Sequence, residues 1–327
     1  MKRRTFIKNT AASTALLSVG GIALSCTEQE VKQITILHTN DVHSHIDPFG
    51  PNDGRNANKG GVARRATLIQ RLRQENPNTL LLDAGDIFQG TAYFNYYGGE
   101  LEFKLMSMLD YDAATIGNHD FEIVISRDEI KLGMRQLRIK AVDSIIKIVI
   151  SYGCSVIIEH AQFDFVSANY NFKNTIMDGH VAPYKIFIKN GVRIGVFGLG
   201  IELEGLVGKD MFKETKYLDP IEIAQDMSRI LKTEEQCDLI ICLSHLGYDY
   251  ENQQKVSDRS LARSTKDIDL IIGGHTHTFL DEPTLETNTI GKSVLVNQVG
   301  CYGLYVGKVD FYFEPEGTFF SSQSLRV

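Results

Sequence analysis

The sequence has no tryptophan, only five cysteines in 327 residues, and no excess of basic charge. The missing tryptophan excludes no class. The cysteines exclude two: Cys154, Cys237, Cys242 and Cys301 stand scattered after Cys26, without the spacing of a disulfide framework or a zinc finger. They read as buried small hydrophobes. With 34 Lys and Arg against 41 Asp and Glu, net charge −7, the chain lacks the footprint of a partner for duplex nucleic acid. Action on phosphates then requires local cations to offset repulsion. No membrane-spanning run is seen either: the apolar stretch Ala11 to Leu24 is about 14 residues, short of the roughly 20 that a spanning helix needs. Internal repeats and low-complexity segments are absent.

That short stretch follows a basic start, "MKRRTFIKNT", and leads to "ALSC". Residues 1–26 therefore read as an export signal to be set apart from the fold. Arg3-Arg4 with Thr5, Phe6, Ile7 and Lys8 resembles a twin-arginine signal, and "ALSC" resembles a lipoprotein cleavage box, with Ala23 where Leu is commoner. Under that reading Cys26 carries the lipid, residues 27–33 form a tether, and the protein sits in the periplasm or cell envelope. Cleavage nearby without a lipid is the alternative.

Five apolar runs each stop at polar residues. "ITIL" leads to Asp41 and His43, "TLLLDAGD" to Asp86, and "AATIGNHD" to Asn118 and His119. "DLIICLSH" ends at His245, and "DIDLIIGGHTH" at His275 and His277. Continuous runs of this length suit strands buried on both faces. Helical spacing lies between several of them, over Val62 to Glu75 and Pro220 to Lys232, the latter with Asp219 as N-cap and Pro220 in the first turn. Alternating strand and helix implies a layered α/β domain. Asn190-Gly191 and Glu316-Gly317 read as hairpin turns.

Ligand crevices form at the carboxyl ends of such strands. Carboxylate, imidazole and carboxamide without thiolate suit borderline metals such as Zn, Mn, Fe or Co. Asp41, His43, Asp86, Asn118, His119, His245, His275 and His277 offer too many donors for one four-coordinate ion and suit two divalent metal ions. Asp41 and His43, at i and i+2, point the same way if the chain is extended. Asp86 alone would read as a helix cap and Asn118 alone as a turn residue; the joint set argues for metal. His38 and His45 read as supporting or surface residues. His160 and His180 read as solvent-facing, and Arg64 and Arg65 as a solvated helix face.

The order of "D-x-H" after a strand, then "GD", "GNHD" and "GGHTH", resembles the calcineurin-like metallophosphoesterases. "ITILHTNDVHSHI" and "FVSANYNF" resemble more narrowly the catalytic domain of bacterial 5'-nucleotidases and UDP-sugar hydrolases. The resemblance covers residues 34–327 and implies a layered α-β-β-α sandwich with a single catalytic domain. It implies that Asp41, His43 and His277 hold one ion, that Asn118, His245 and His275 hold the other, and that Asp86 bridges both. His119 would then be the general acid, with Glu122 as its carboxylate partner, and a metal-bridging hydroxide the nucleophile.

Three departures qualify this. The family pattern is "NHEFD", whereas this chain has Asp120-Phe121-Glu122, so Glu122 carries one methylene more than the usual partner. Residues 123–162 are Ile-rich and atypical, either a true insertion or a shifted reading frame. The base-stacking C-terminal domain of these nucleotidases has no counterpart in the sequence, which implies a separate polypeptide or a promiscuous enzyme. The leading reading is a 5'-nucleotidase-type phosphomonoesterase acting on a nucleotide or other phosphate ester. Alternatives are a phosphodiesterase or UDP-sugar hydrolase of the same fold, and a non-catalytic subunit that binds a partner.

Overall fold

The computed structural model describes residues 31–124, 160–175, 177–251 and 255–327, without the side chains of 122–124. The signal and lipid readings, and most of the atypical 123–162 stretch, lie outside the described residues. The strands begin with β1 (Lys32–Thr39), β2 (Thr79–Asp83), β3 (Ala113–Ala114), β4 (Asp164–Phe165), β5 (Tyr170–Asn171), β6 (Tyr184–Lys189) and β7 (Val192–Leu199). They continue with β8 (Lys216–Tyr217), β9 (Leu239–Ser244), β10 (Leu270–Gly273), β11 (Thr284–Thr287), β12 (Ser293–Asn297), β13 (Tyr305–Glu314) and β14 (Gly317–Arg326). β1 opens inside the stretch expected to be tether.

Two six-stranded sheets result, ordered β14-β13-β1-β2-β3-β4 and β11-β12-β10-β9-β7-β6. In the first, β1, β2, β3 and β4 run parallel with antiparallel β13 and β14 along one side; in the second, parallel β7, β9, β10 and β12 are flanked by antiparallel β6 and β11. The apolar runs explain the layering. Side chains alternate across a strand, so Ile34, Ile36, Leu80 and Leu82 meet Ile194, Val196, Ile241, Leu243 and Ile272 between the sheets. The intervening Leu37 and Leu81 face outward onto the helix Val62–Glu75, through Ile69 and Leu72. Ile240, Cys242 and Ile271 likewise pack on helices Pro220–Thr233 and Asp258–Ser264. The arrangement is α-β-β-α, a single mixed α/β domain.

Local signals act as expected at two ends. Asp219 Oδ1 accepts the backbone N–H groups of Ile221 and Glu222 at 2.8 and 3.0 Å, capping the Pro220–Thr233 helix. Asn190 and Gly191, with φ of 50° and 70°, form the turn between β6 and β7, which needs positive φ at both residues. The last hairpin differs. Glu314 pairs with Gly317, so its turn is Pro315-Glu316, one residue earlier than the Glu316-Gly317 reading. Proline's fixed φ serves the first turn position, and Gly317 already belongs to β14. Among the described residues, no helix is long and apolar enough to cross a membrane.

Candidate metal centre

All the polar residues singled out leave the carboxyl ends of parallel strands: Asp41 and His43 after β1, Asp86 after β2, Asn118 and His119 after β3. His245 follows β9, and His275 and His277 follow β10. Both sheets present those ends together, so distant residues converge. Donor atoms of Asp41, His43 and His277 lie within 4.8 Å of one another, and so do those of Asp86, His245 and His275. Asn118 Oδ1 lies 2.9 Å from His275 Nδ1, which puts it beside the second group.

The backbone that aims these donors is not extended. Asp41, His43, Asp86, His275 and His277 have φ of 50°, 50°, 55°, 71° and 51°. Left-handed non-glycine residues are uncommon and cluster at functional sites. Asp41 and His43 therefore share a side through a tight left-handed turn, which corrects the extended geometry expected from their spacing. Gly117 makes the approach feasible: a Cβ there would stand 2.2 Å from Asp86 Oδ1.

Neighbouring groups fix the rings. His43 Nδ1 is held by the Phe88 carbonyl at 3.1 Å and His245 Nδ1 by the Ala84 carbonyl at 2.7 Å. Each ring's second nitrogen is thereby aimed inward, as at metal sites whose ligands carry oriented partners. His245 Nε2 is fully buried, has no hydrogen bond of normal geometry, and lies 3.1 Å from Asp86 Oδ2. His43 Nε2 and His277 Nε2 face each other at 3.0 Å.

The electrostatics describe a cluster short of positive charge. Burial opposes charge on His245, yet the Asp86 carboxylate holds its pKa up at about 10. Burial pushes Asp86 up in turn, but His245, then His43 and His119, hold it well below the usual carboxylate range. The Asp41 carboxylate, then the Cys301 thiol, raise His277 to about 10. His275 is pushed down to about 4 by burial, then by His245. Protons held on such rings are those that an arriving cation displaces. A buried imidazole nitrogen facing the Asp86 carboxylate, a second buried carboxylate on Asp41 and inward-aimed rings fit two divalent cations.

His119 begins the His119–Val124 turn, part-buried, its ring centroid 5.3 Å from that of His43 and its N–H donating to Asp86 Oδ1 at 2.8 Å. The side chain of Glu122 lies outside the described residues. Asp120 is the functional residue that sequence reasoning missed. Its buried carboxylate accepts the backbone N–H groups of Asp86, Ile87, Phe88 and Gly117 at 2.8–3.2 Å, joining the two loops that carry Asp86 and Asn118. The only trace in sequence is the acidic residue of "GNHD".

Other readings change. His38 is fully buried in β1, its Nε2 2.9 Å from Asn297 Nδ2, and belongs to the core, neither surface nor site. His45 supports the site, its Nδ1 held by the His43 carbonyl at 2.9 Å. His160 is half-buried and 3.5 Å from Glu100, while His180 is exposed. Arg64 is exposed, but Arg65 is buried, so only one of the pair forms a solvated face.

The model of the family described as calcineurin-like phosphoesterase matches residues 34–279. The chain belongs to the calcineurin-like phosphoesterases. This family uses two divalent metal ions, in keeping with the two donor groups. Among relatives, a snake venom 5'-nucleotidase of Crotalus adamanteus is 32% identical over 90% of this chain and 48% of its own length. The 5'-nucleotidase of Homo sapiens is 30% identical over 97% of the chain and 52% of its length. The solved structure of a 5'-nucleotidase precursor from Thermus thermophilus superposes with TM-score 0.73 at 30% identity, over 90% of this chain and 55% of that one. This calcineurin-like phosphoesterase thus spans about half the length of these relatives.

Proposed function

We propose that the chain is a dimetal phosphomonoesterase of the 5'-nucleotidase type. The observation that carries this is the position of Asp86. Its Oδ2 lies 3.1 Å from His245 Nε2 and 3.9 Å from His43 Nε2, so one carboxylate reaches both donor groups. Two divalent cations, when bound, neutralise phosphoryl oxygens and lower the pKa of nearby water.

The chain's own residues supply the rest. Asp41, His43 and His277 would hold one cation, Asn118, His245 and His275 the other, with Asp86 shared. The carbonyl-anchored rings stay fixed as charge develops, which limits reorganisation during the reaction. His119, at the edge of the cluster, donates a hydrogen bond to a phosphoryl oxygen and gives its proton to the departing alcohol. Glu122, three residues on, orients it. The 5'-nucleotidases among the relatives support a nucleotide substrate.

The N-terminal 26 residues serve export, with Cys26 as the lipid-bearing residue of a cell-envelope enzyme. A snake venom 5'-nucleotidase and a 5'-nucleotidase precursor among the relatives support export.

Hydrolysis of 5'-AMP by purified protein with Mn or Zn tests the reading. Activity is expected with metal, lost on chelation, and lost in Asp86→Ala together with bound metal. Metal-replete protein inert on every phosphomonoester tried would remove it.

A further inference from the structure

We infer that Gln298 is a positioning residue that couples the two cation sites by bracing the turn that carries His275 and His277; the inference rests on the dimetal part of the phosphomonoesterase reading. The two histidines stand in different donor groups, so the backbone between them sets how those groups are spaced. That backbone is left-handed at both, with φ of 71° and 51°. Such residues persist only where their surroundings over-determine them.

Gln298 supplies that constraint. It follows β12 directly and is fully buried, and its amide bonds the residues before, between and after the two histidines. Nε2 donates to the Gly274 carbonyl at 2.6 Å, while Oε1 accepts the Thr276 hydroxyl at 3.1 Å and the backbone N–H of Thr278. Holding both ends of the turn takes a donor and an acceptor on one planar group, which the carboxamide has and a carboxylate lacks. A second tie runs across the cluster: the His275 N–H donates to both Asp41 carboxylate oxygens, at 2.9 and 3.1 Å. The turn is thereby fixed to the other donor group, and its displacement disturbs both groups together. Packing alone would be served by an apolar side chain of the same length; it does not call for a buried amide whose three bonds fall on one five-residue turn.

The test measures Mn affinity at both sites by chelator competition in full-length wild type, Gln298→Met and Gln298→Asn. Methionine fills the same space without the bonds; asparagine keeps the amide but is one methylene too short to hold both ends of the turn. Outer partners of metal ligands are worth about 10–100-fold in affinity, so Gln298→Met is expected to weaken both ions by that factor. Gln298→Asn moves both the same way by less, and it reports even if Gln298→Met fails to fold. Urea unfolding of the chelator-treated proteins identifies a purely structural role. Lower stability with both Mn affinities unchanged overturns the brace, and so does weakening of one ion alone. Wild type that binds two Mn yet is inert on every phosphomonoester overturns the phosphomonoesterase reading and leaves the brace standing. Wild type that binds fewer than two overturns both.

Discussion

The Asp120 carboxylate accepts the backbone N–H of Asp86 at 2.9 Å, through the same oxygen that takes the Gly117 N–H at 2.8 Å. One side chain thus sets the separation of two loops, one carrying Asp86 and the other Asn118. Asparagine is nearly isosteric, but its NH2 group would face backbone donors. Outer partners of metal ligands are worth about 10–100-fold in metal affinity. Asp120→Asn is expected to weaken metal binding by that factor, read by chelator competition. Unchanged affinity would show that the loops hold their spacing without it.

His119 touches the donor cluster but belongs to neither donor group. If it acts as general acid, His119→Asn keeps both metals and loses about 10²–10⁴-fold in kcat. The loss is smaller for p-nitrophenyl phosphate, whose leaving group needs little protonation. Metal content by elemental analysis and kcat on AMP and p-nitrophenyl phosphate check this. Equal losses on both esters would assign the residue to binding.

Much of the site was legible because its residues follow strands that read clearly. Leu80, Leu81 and Leu82 are apolar without alternation because both faces of β2 are covered, and Asp86 follows where such a strand must end. What stayed hidden depends on backbone. The spacing of Asp41 and His43 is compatible with extended or left-handed chain, and nothing local selects between them. Asp120 bonds mostly to main chain about thirty residues away, which leaves no pattern around it. The helix Asp258–Ser264 is capped by a reciprocal pair of serines, Ser257 and Ser260, outside the usual Ser-x-x-Glu signature.

His38 gives the fold an acid-sensitive point. Burial lowers its pKa from 6.5 to about 3, so the folded state keeps it neutral while the unfolded chain takes up a proton. Its contribution is complete above pH 6.5 and is lost progressively as pH falls toward 3. Between pH 7 and pH 5 this group removes about 2 kcal/mol. Buried Asp83, raised to about 7 by burial, has the opposite sign and is present in both proteins compared. The stability difference between wild type and His38→Gln is expected to shrink by about 2 kcal/mol over that interval. Urea unfolding of chelator-treated protein at the two pH values measures it; an unchanged difference would place the acid sensitivity elsewhere.

Behind the Asp41–His43 loop, Arg65, Glu102 and Ser44 line a small pocket. Arg65 Nε and Nη1, both Glu102 carboxylate oxygens and Ser44 Oγ are buried there without a hydrogen bond of normal geometry, although the Ser44 hydroxyl faces Glu102. An unsatisfied buried group costs about 1–3 kcal/mol, and polar pockets of this kind hold ordered water. A crystal structure is therefore expected to show water bridging Glu102 to Ser44 or Arg65. Glu102→Gln keeps donors and acceptors for that water and should cost less than about 1 kcal/mol, whereas Glu102→Leu strands its partners and should cost about 1–3 kcal/mol. Urea unfolding separates the two. Leucine as stable as glutamine would mean that the pocket is held by its apolar wall, with the polar atoms satisfied some other way.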